Sequence, residues 1–542
     1  MFRGIIAFFI NFGNLFNKLQ YIELQTQGYL IIMPKSNSLF LLIKAMTKAE
    51  KRHFKMYSSI NAIDGDKDYI RLFDAMEAQE AYDEKALLEK FKNEPYFSQL
   101  NGVKFYLYRQ IMKSLKIIQD DSSDNVKLQN YLAEIEILFG KKLFKNCATT
   151  IKKARIYAQK HENFLKLLEI MAWESKIATW NHDVDEVESL KREWKEEGHD
   201  VLKKYTEIFE LKPLIYDITS FVLRKGHAKT DSEIHFIKNI LSDKLLQDEK
   251  SSFNGELNRL VITSNCLGAL GMEEERLLAS KKMIALYDRF PGQLCLNNYF
   301  FNMLSHANLS LSLKKAIYSD LLVQKLTIVY ENRCSELELK NKVGYLNIRS
   351  SFLLFQGQFR EALNLLDNID KLIEGRGGEL DSNSELYLYE LKFAVYFCNK
   401  EFKKSQHYVR KIINSKSGVR VDIQTSARIA YLIIQYEERE YSHLEYAWRS
   451  TYRYLLKKER LQEAENKVLH FLRNAIKFNS EKQILIALAE FKDLIRPYMD
   501  QFMVGFPLIE WIDSKIKNRD LQEIVQERYL AAIENEEQVK TG

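Results

Sequence analysis

An all-α fold follows from three features of the sequence. Only six prolines and twenty glycines punctuate 542 residues, too few turn formers for an all-β chain or one alternating strands with helices. Apolar residues recur at helical spacing, as in Phe105, Tyr108, Met112 and Leu115, which share one face while Arg109, Lys113 and Lys116 line another. The length exceeds what one hydrophobic core usually supports, so the helices should form several domains or one elongated stack.

Composition narrows the function classes. The apolar share of 46% is ample for a core, and the 28% of charged residues is ordinary for a soluble protein. A net charge of +6 is small for this length and creates no general attraction to nucleic acid or membrane. Cys147, Cys266, Cys295, Cys334 and Cys398 are odd in number and far apart, with no Cys-x-x-Cys pair. They read as buried small residues in a reducing compartment, and a cytoplasmic location is expected.

Residues 1–36 differ from the rest. Arg3, Lys18 and Glu23 are the only charges in residues 1–33, and the apolar run Ile5 to Ile10 is too short for a membrane span of about 20 residues. The run also lacks the form of a secretory signal. Charge-rich helical sequence begins after Met33-Pro34-Lys35, so Met33 is favoured as the true start, with a weak membrane anchor as the alternative. Residues 37–120 read as a helical module. Thr47 and Glu50 match a capping box that opens a helix running to about Ile60, and further helices are expected over Tyr69–Gln79, Asp83–Lys92 and Gln99–Ile118. The polar stretch Asp120-Asp121-Ser122-Ser123-Asp124 marks a boundary.

From residue 125 to 542 a series of helical segments is interrupted at Lys225-Gly226-His227, Asp248 to Ser252, Phe290-Pro291-Gly292, Gly375-Arg376-Gly377-Gly378, Pro497 and Gly505-Phe506-Pro507. Glu534-Asn535-Glu536-Glu537 is expected to fray as an acidic tail. Within this series Leu346 to Ile369 carries the most specific pattern. Phe359 opens a second helix, Ala362 follows after three residues, Leu366 after four more and Ile369 after three more, with Gly357 at the preceding turn. The same ruler fits Phe402, Ser405, Val409 and Ile412, then Phe144, Cys147, Ile151 and Ala154, and more loosely Tyr441, Leu444, Trp448 and Thr451.

This pattern resembles the tetratricopeptide repeat, in which paired helices stack into a solenoid. The anchors Phe359, Phe402 and Tyr441 stand 43 and 39 residues apart, longer than the standard unit of about 34, so the repeats are degenerate. Residues 126–160 and 343–455 carry the resemblance, while Trp173 to Phe301 fits no register and joins the solenoid by continuity. Roughly seven to nine hairpins are expected. An irregular helical bundle is the alternative.

The resemblance implies a concave groove lined by the first helix of each hairpin, and with it a protein or peptide partner. Its groove-facing positions fall on Asn347, Ser351 and Leu354, then Tyr387, Glu390, Ala394 and Phe397, then Ile433 and Tyr436. Beyond Asn347 the Lys, Asn and Arg cluster that grips a C-terminal carboxylate in such repeats is missing, and an apolar peptide or helix suits these residues better. The alternative is a peptide-responsive transcription regulator with a DNA-binding module. Lys48, Lys51 and Lys55 share a helix face with Arg52 adjacent, and Arg109, Lys113 and Lys116 form a second basic stripe. An enzyme is a further alternative, but no phosphate loop, nucleophile elbow or dinucleotide fingerprint occurs. No cofactor is expected. Asp64-Gly65-Asp66-Lys67-Asp68 starts like a calcium loop but has Tyr69 and Ala75 where Gly and Glu are needed, and His161-Glu162 and His182-Asp183 lack a second histidine at ligand spacing, so no metal is expected.

Overall fold

A computed structural model of the chain describes residues 36–61, 68–94, 100–118, 124–181, 184–247, 252–374, 380–415, 420–475, 480–501 and 506–541. They form an all-α structure, with no strand among the described residues. The N-terminal apolar segment, residues 64–67 of the calcium-like loop, the polar stretch 119–123, His182-Asp183 and Gly375 to Gly378 lie outside them. Two compact units divide between Asn130 and Tyr131.

The first unit contains α1 (Ser36–Ala45), α2 (Lys48–Asn61), α3 (Asp68–Ala78), α4 (Glu84–Lys90) and α5 (Leu100–Ile118). The capping box at α2 forms as its residues predict. The Glu50 carboxylate accepts the Thr47 backbone N–H at 2.7 Å, and Thr47 Oγ1 accepts that of Glu50 at 3.2 Å. Phe54, Leu72, Phe73, Met76, Leu107 and Ile111 are fully buried between the helices. On α5 the innermost seam is Val103, Leu107, Ile111 and Leu115; of the expected face, Leu115 is buried while Phe105, Tyr108 and Met112 are half-buried. Both faces of α5 are apolar, and only its neighbours decide which one is sealed.

The division falls within α6 (Asp124–Gly140), and the second unit continues with α7 (Phe144–Lys160), α8 (Phe164–Asn181) and α9 (Val184–Glu193). One π-helical turn, Trp194–Gly198, leads directly into the 27-residue α10 (His199–Lys225), and α11 (Asp231–Leu241) follows. The paired helices are then α12 (Phe253–Leu270) with α13 (Glu273–Arg289), α14 (Leu296–Ser312) with α15 (Ala316–Arg333) and α16 (Leu339–Phe355) with α17 (Phe359–Glu374). Two more pairs follow, α18 (Ser382–Cys398) with α19 (Phe402–Ile413) and α20 (Val421–Glu437) with α21 (Tyr441–Lys457), and then α22 (Glu463–Ala475), α23 (Glu481–Ile495), α24 (Leu508–Lys517) and α25 (Leu521–Thr541). Neighbouring helices pack in series, and the first helices α14, α16, α18, α20 and α22 also lie side by side, which makes this unit solenoid-like.

One backbone device recurs in the pairs. Lys142, Gly271, Lys314, Gly357, Lys400 and Arg439 have φ between +54° and +74°, each two residues before a second helix begins. At each, two successive N–H groups turn back to the last carbonyls of the first helix, as Gly357 N–H to Leu354 O and Gln358 N–H to Leu353 O, or Lys400 N–H to Phe397 O and Glu401 N–H to Tyr396 O. Such left-handed closure satisfies carbonyls that a helix end leaves without partners. Glycine fills only two of the six sites. The four lysine and arginine sites gave no such signal in the sequence, and Gly271 lacks the aromatic that Phe359 supplies two residues after Gly357.

The buried positions of the second helices follow the expected ruler. Phe359, Ala362, Leu366 and Ile369 are buried, as are Ser405, Val409 and Ile412, and Cys147, Ile151 and Ala154. The small residue also makes an equivalent bond in two pairs, Ser405 Oγ donating to Phe393 O at 2.9 Å and Cys147 Sγ to Ile135 O at 3.5 Å. Of two pairs unrecognised in the sequence, α15 uses the same register, with Ala316, Ser319, Val323 and Leu326 buried, while α13 keeps only its later positions, Ser280 and Met283, and has Arg276 at the small site. The stretch without a register is thus largely α8 to α11, where the π-helical turn and the long α10 replace a regular pair.

The last two helices run back along the row of turns. Trp511 Nε1 donates to Glu437 at 2.5 Å beside the α20–α21 turn, and Lys400 of the α18–α19 turn pairs with Asp520 at 2.7 Å. Gln356 of the next turn meets Tyr529 at 3.2 Å, and Glu536 accepts the Ile317 backbone N–H at 3.2 Å. The acidic stretch Glu534 to Glu537, expected to fray, is instead helical within α25. Glu536 has a specific anchor there, because the first turn of α15 offers unpaired N–H groups and a positive dipole end.

Gly357 is held at φ +73°, and a Cβ there would stand 2.7 Å from Gln526 Cγ and 3.1 Å from the Gln522 carbonyl. Gly357→Val should therefore cost about 2–3 kcal/mol in urea unfolding through backbone strain and collision with α25. Arg439→Gly at the equivalent, open turn should be neutral or stabilise by up to about 1 kcal/mol.

Candidate functional site

The face expected to form an open groove is largely occupied by the chain itself. Ala394, Phe397 and Ile433 are 4% exposed or less, and Leu354 and Tyr436 are packed against the same apolar clusters. Phe506 lies against Phe397 with ring centroids 4.8 Å apart and against Phe393 at 5.9 Å, while Trp511 meets Tyr436 edge-on at 6.1 Å. Leu508 and Ile512 complete the seal. Ala394, Phe397 and Ile433 are therefore corrected from groove-lining to core residues, and Tyr436 is half-buried against the same cluster. The physical reason is that an apolar helix face accepts an apolar segment from any source, and residues 506–512 are tethered beside it.

Two expected groove residues keep partial access. Asn347 and Ser351 on α16 are half-buried, and neither side chain has a polar partner among the described residues. Tyr387 and Glu390, on the N-terminal half of α18, belong to a polar cluster not anticipated from the sequence. The Arg420 guanidinium makes a two-pronged bond to Asp422, Nε to Oδ1 at 2.9 Å and Nη2 to Oδ2 at 2.7 Å, and it also reaches the Tyr387 hydroxyl and lies over that ring. Its backbone N–H donates to Leu223 O at 2.8 Å, and Asp422 fills the space beside Gly226 where a side chain would otherwise sit.

Arg460 and Gln462 complete the cluster. Arg460 is 2% exposed and donates to His227 O at 2.7 Å and Lys225 O at 3.3 Å, and Gln462 donates to Lys229 O at 2.6 Å. The loop between α10 and α11 is thereby clamped by residues some 200 positions later. No local motif announces such a cluster, although an Arg-x-Asp at a helix start was a signal available at 420–422.

Burial shifts the ionisable groups here. It pushes the Glu390 carboxyl up to about 8, against the pull of Arg420. Burial also opposes ionisation of Asp422, yet the Arg420 charge and hydrogen bonds prevail and hold it below the usual carboxylate range. His227 is lowered by burial despite the nearby Asp422.

Elsewhere, two polar groups that could suggest chemistry have structural partners. Buried His306 contacts Ser280 Oγ through Nδ1 at 2.9 Å and the Tyr318 hydroxyl through Nε2 at 2.7 Å, and burial lowers its pKa to about 4. Ser280 is 4% and His306 1% exposed, so this serine–histidine pair is sealed from substrate. Glu162, read from the sequence as a surface residue, instead accepts the backbone N–H groups of Phe253 and Asn254 at 2.8 and 2.9 Å and caps α12. Cys147, Cys266 and Cys398 are buried as expected, but Cys295 is exposed. Among the described residues no group of three or more His, Cys, Asp or Glu could hold a metal ion. A cleft of about 190 Å³ beside Lys314, Glu510 and Arg528 is below the roughly 300 Å³ at which ligand pockets begin.

In the first unit the basic stripes are partly neutralised. Lys55 bridges Asp74 at 2.8 Å and Glu77 at 3.1 Å, and Lys51 meets Glu77 at 3.3 Å. Lys48, Arg52, Arg109, Lys113 and Lys116 remain exposed, Arg109 over the Phe105 ring. No helix among the described residues is long and apolar enough to cross a membrane. The class these observations define is an all-α, solenoid-like helical protein. No protein-family model matches the chain, and no curated protein matches it either.

The Glu390 shift predicts a pH dependence. Between its ordinary value of 4.5 and about 8 the folded chain retains a proton that the unfolded chain has released, so this group's stabilisation falls as pH rises across that window. Glu390→Gln should raise stability by roughly 1–3 kcal/mol at pH 8.5 and change it little at pH 4.5, read by thermal melts at both values. Arg420→Ala, which strands Asp422 in a buried site, should cost about 3–5 kcal/mol.

Proposed function

We propose that the chain is a non-catalytic, cytoplasmic scaffold of tetratricopeptide-like hairpins that holds a protein or peptide partner. The observation that carries this reading is the repeated turn. Left-handed residues at 271, 314, 357 and 400 recur every 43 residues, and the second helices after the last three bury a small residue, Ser319, Ala362 or Ser405, at the same position. A lone hairpin leaves its apolar face uncovered, and stacking converts the array into a rigid, extended surface that loses little conformational entropy when a partner docks.

The self-filled face narrows where that partner would sit. Residues 506–512 already occupy the inner ends of α18 and α20, so recognition on this side falls to Asn347 and Ser351, whose polar groups are free to bond a partner. The transcription-regulator reading is less favoured, because Lys51 and Lys55 spend their charge on Glu77 and Asp74.

The test is native affinity purification with quantitative mass spectrometry of the full chain beside Asn347→Arg plus Ser351→Arg. A stoichiometric protein partner lost from the double variant, with an unchanged circular dichroism melt, is the expected result. DNA retention that falls with salt and is abolished by Lys48→Glu plus Arg52→Glu would instead establish the regulator.

A further inference from the structure

Along the run of pairs from α12 to α21 the second helices share one structural role but not one charge. On α13 and α15 acidic and basic residues balance, and on α17 Arg360 and Lys371 are outnumbered by Glu361, Asp367, Asp370 and Glu374. Then the sign turns. Helix α19 holds Lys403, Lys404, Arg410 and Lys411 with no carboxylate, and α21 holds Arg449, Arg453 and Lys457 against Glu445 alone. All of these cations are exposed. Helix α7 is also basic, but it stands apart from this run and its Arg155 is bound by Glu174 and Glu197.

Rings hold several of these cations where carboxylates would otherwise do so. Lys411 lies over Tyr389 at 5.1 Å and over Tyr408 at 5.4 Å. Arg410 lies over Tyr431 of α20 at 5.5 Å and donates to its hydroxyl at 3.0 Å. One turn before Tyr431, Arg428 stands over Tyr454 of α21 at 4.0 Å, so contacts across α20 link the basic faces of α19 and α21. A ring attracts a cation through its quadrupole and leaves the charge uncancelled, whereas a carboxylate cancels it. Lys404 and Arg449 do meet Glu401 and Glu445, at 2.6 and 2.7 Å. Lys403, Arg410, Lys411, Arg453 and Lys457 form no ion pair among the described residues.

We propose that this face binds single-stranded nucleic acid through its phosphates. Uncancelled cations spread over linked helices complement a polyanion, and two observations select which kind. An acidic helix of another protein would need a row of apolar anchors, and Leu456 is the one large aliphatic side chain exposed on α19 and α21. Tyr446 is 79% exposed, with Arg449 and Arg453 on the same face of α21 over the next two turns. An uncovered ring beside cations is a platform for an unpaired base, which a duplex does not offer. The proposal uses neither Asn347 and Ser351 nor the basic stripes of the first unit, so it fails separately from both.

The probes are fluorescein-labelled oligo-dT and oligo-U of about 20 nucleotides, a DNA duplex of equal length and a polyglutamate peptide of equal length. Each is titrated against the full-length chain by anisotropy. At least one single strand should bind about tenfold or more tightly than the duplex and the peptide. Contact with about five phosphates implies a loss of about a hundredfold in affinity between 50 and 200 mM salt. Lys403→Glu plus Arg453→Glu plus Lys457→Glu, all at exposed sites, should abolish binding with the melting curve unchanged. Tyr446→Ala should weaken binding about tenfold and leave its salt dependence as it was. Lys48→Glu plus Arg52→Glu should leave it intact. The proposal is overturned by no single-strand binding at 50 mM salt, by duplex or polyglutamate binding that equals it, or by binding that survives the triple variant. Binding that ignores Tyr446→Ala, or that is lost with Lys48 and Arg52, overturns it as well.

Discussion

The left-handed residue between paired helices is the constraint on which the solenoid-like unit depends. It closes the first helix by returning two N–H groups to its last carbonyls, and so sets the angle at which the second helix leaves. The small residue three positions into that helix, Cys147, Ser319, Ala362 or Ser405, then allows the two axes to approach, and each of these is fully buried. Non-glycine residues hold this conformation at four of the six turns, at a cost of about 1 kcal/mol each. The packing of the pair over-determines the backbone enough to offset that cost.

The row of turns has a second use. Because α25 runs along it, joining Asp520, Gln522, Tyr529 and Glu536 to three successive turns, the C-terminal segment ties together pairs that would otherwise touch only their neighbours. Phe506 and Trp511 extend the tie into the apolar face of α18 and α20. The cluster around Arg420 does the same from the opposite ends of those helices, binding the α10–α11 loop to segments far along the chain. A stack held only by neighbours opens piecemeal, whereas these long-range ties make opening of one pair costly for the rest.

These ties redistribute the surface available for recognition. The apolar side chains expected to meet a partner are spent inside the molecule, while large exposed apolar residues lie elsewhere, as Leu202, Phe209, Tyr216 and Leu223 on α10 and Tyr441, Tyr446 and Leu456 on α21. In the first unit the same competition acts on charge, where Asp74 and Glu77 draw Lys51 and Lys55 away from any external anion.

How much of this was legible depended on the range of the interaction. Helix class, the Thr47 capping box, the Phe359 and Phe402 registers and the buried role of Cys147 were all readable, because each rests on residues within about a dozen positions of one another. The pair at α14–α15 escaped because Lys314, not glycine, fills the left-handed site, and both it and α12–α13 escaped because Ala316 and Glu273 stand where an aromatic was expected. The filled face was invisible, since nothing near Phe397 or Ile433 says that Phe506 and Trp511 will cover them. The sequence alone determined an all-α chain of stacked helical pairs, through local spacing and turn chemistry. The tertiary structure alone decided which apolar faces are sealed and which, as on α10, stay open, because burial is a competition among segments distant in the chain.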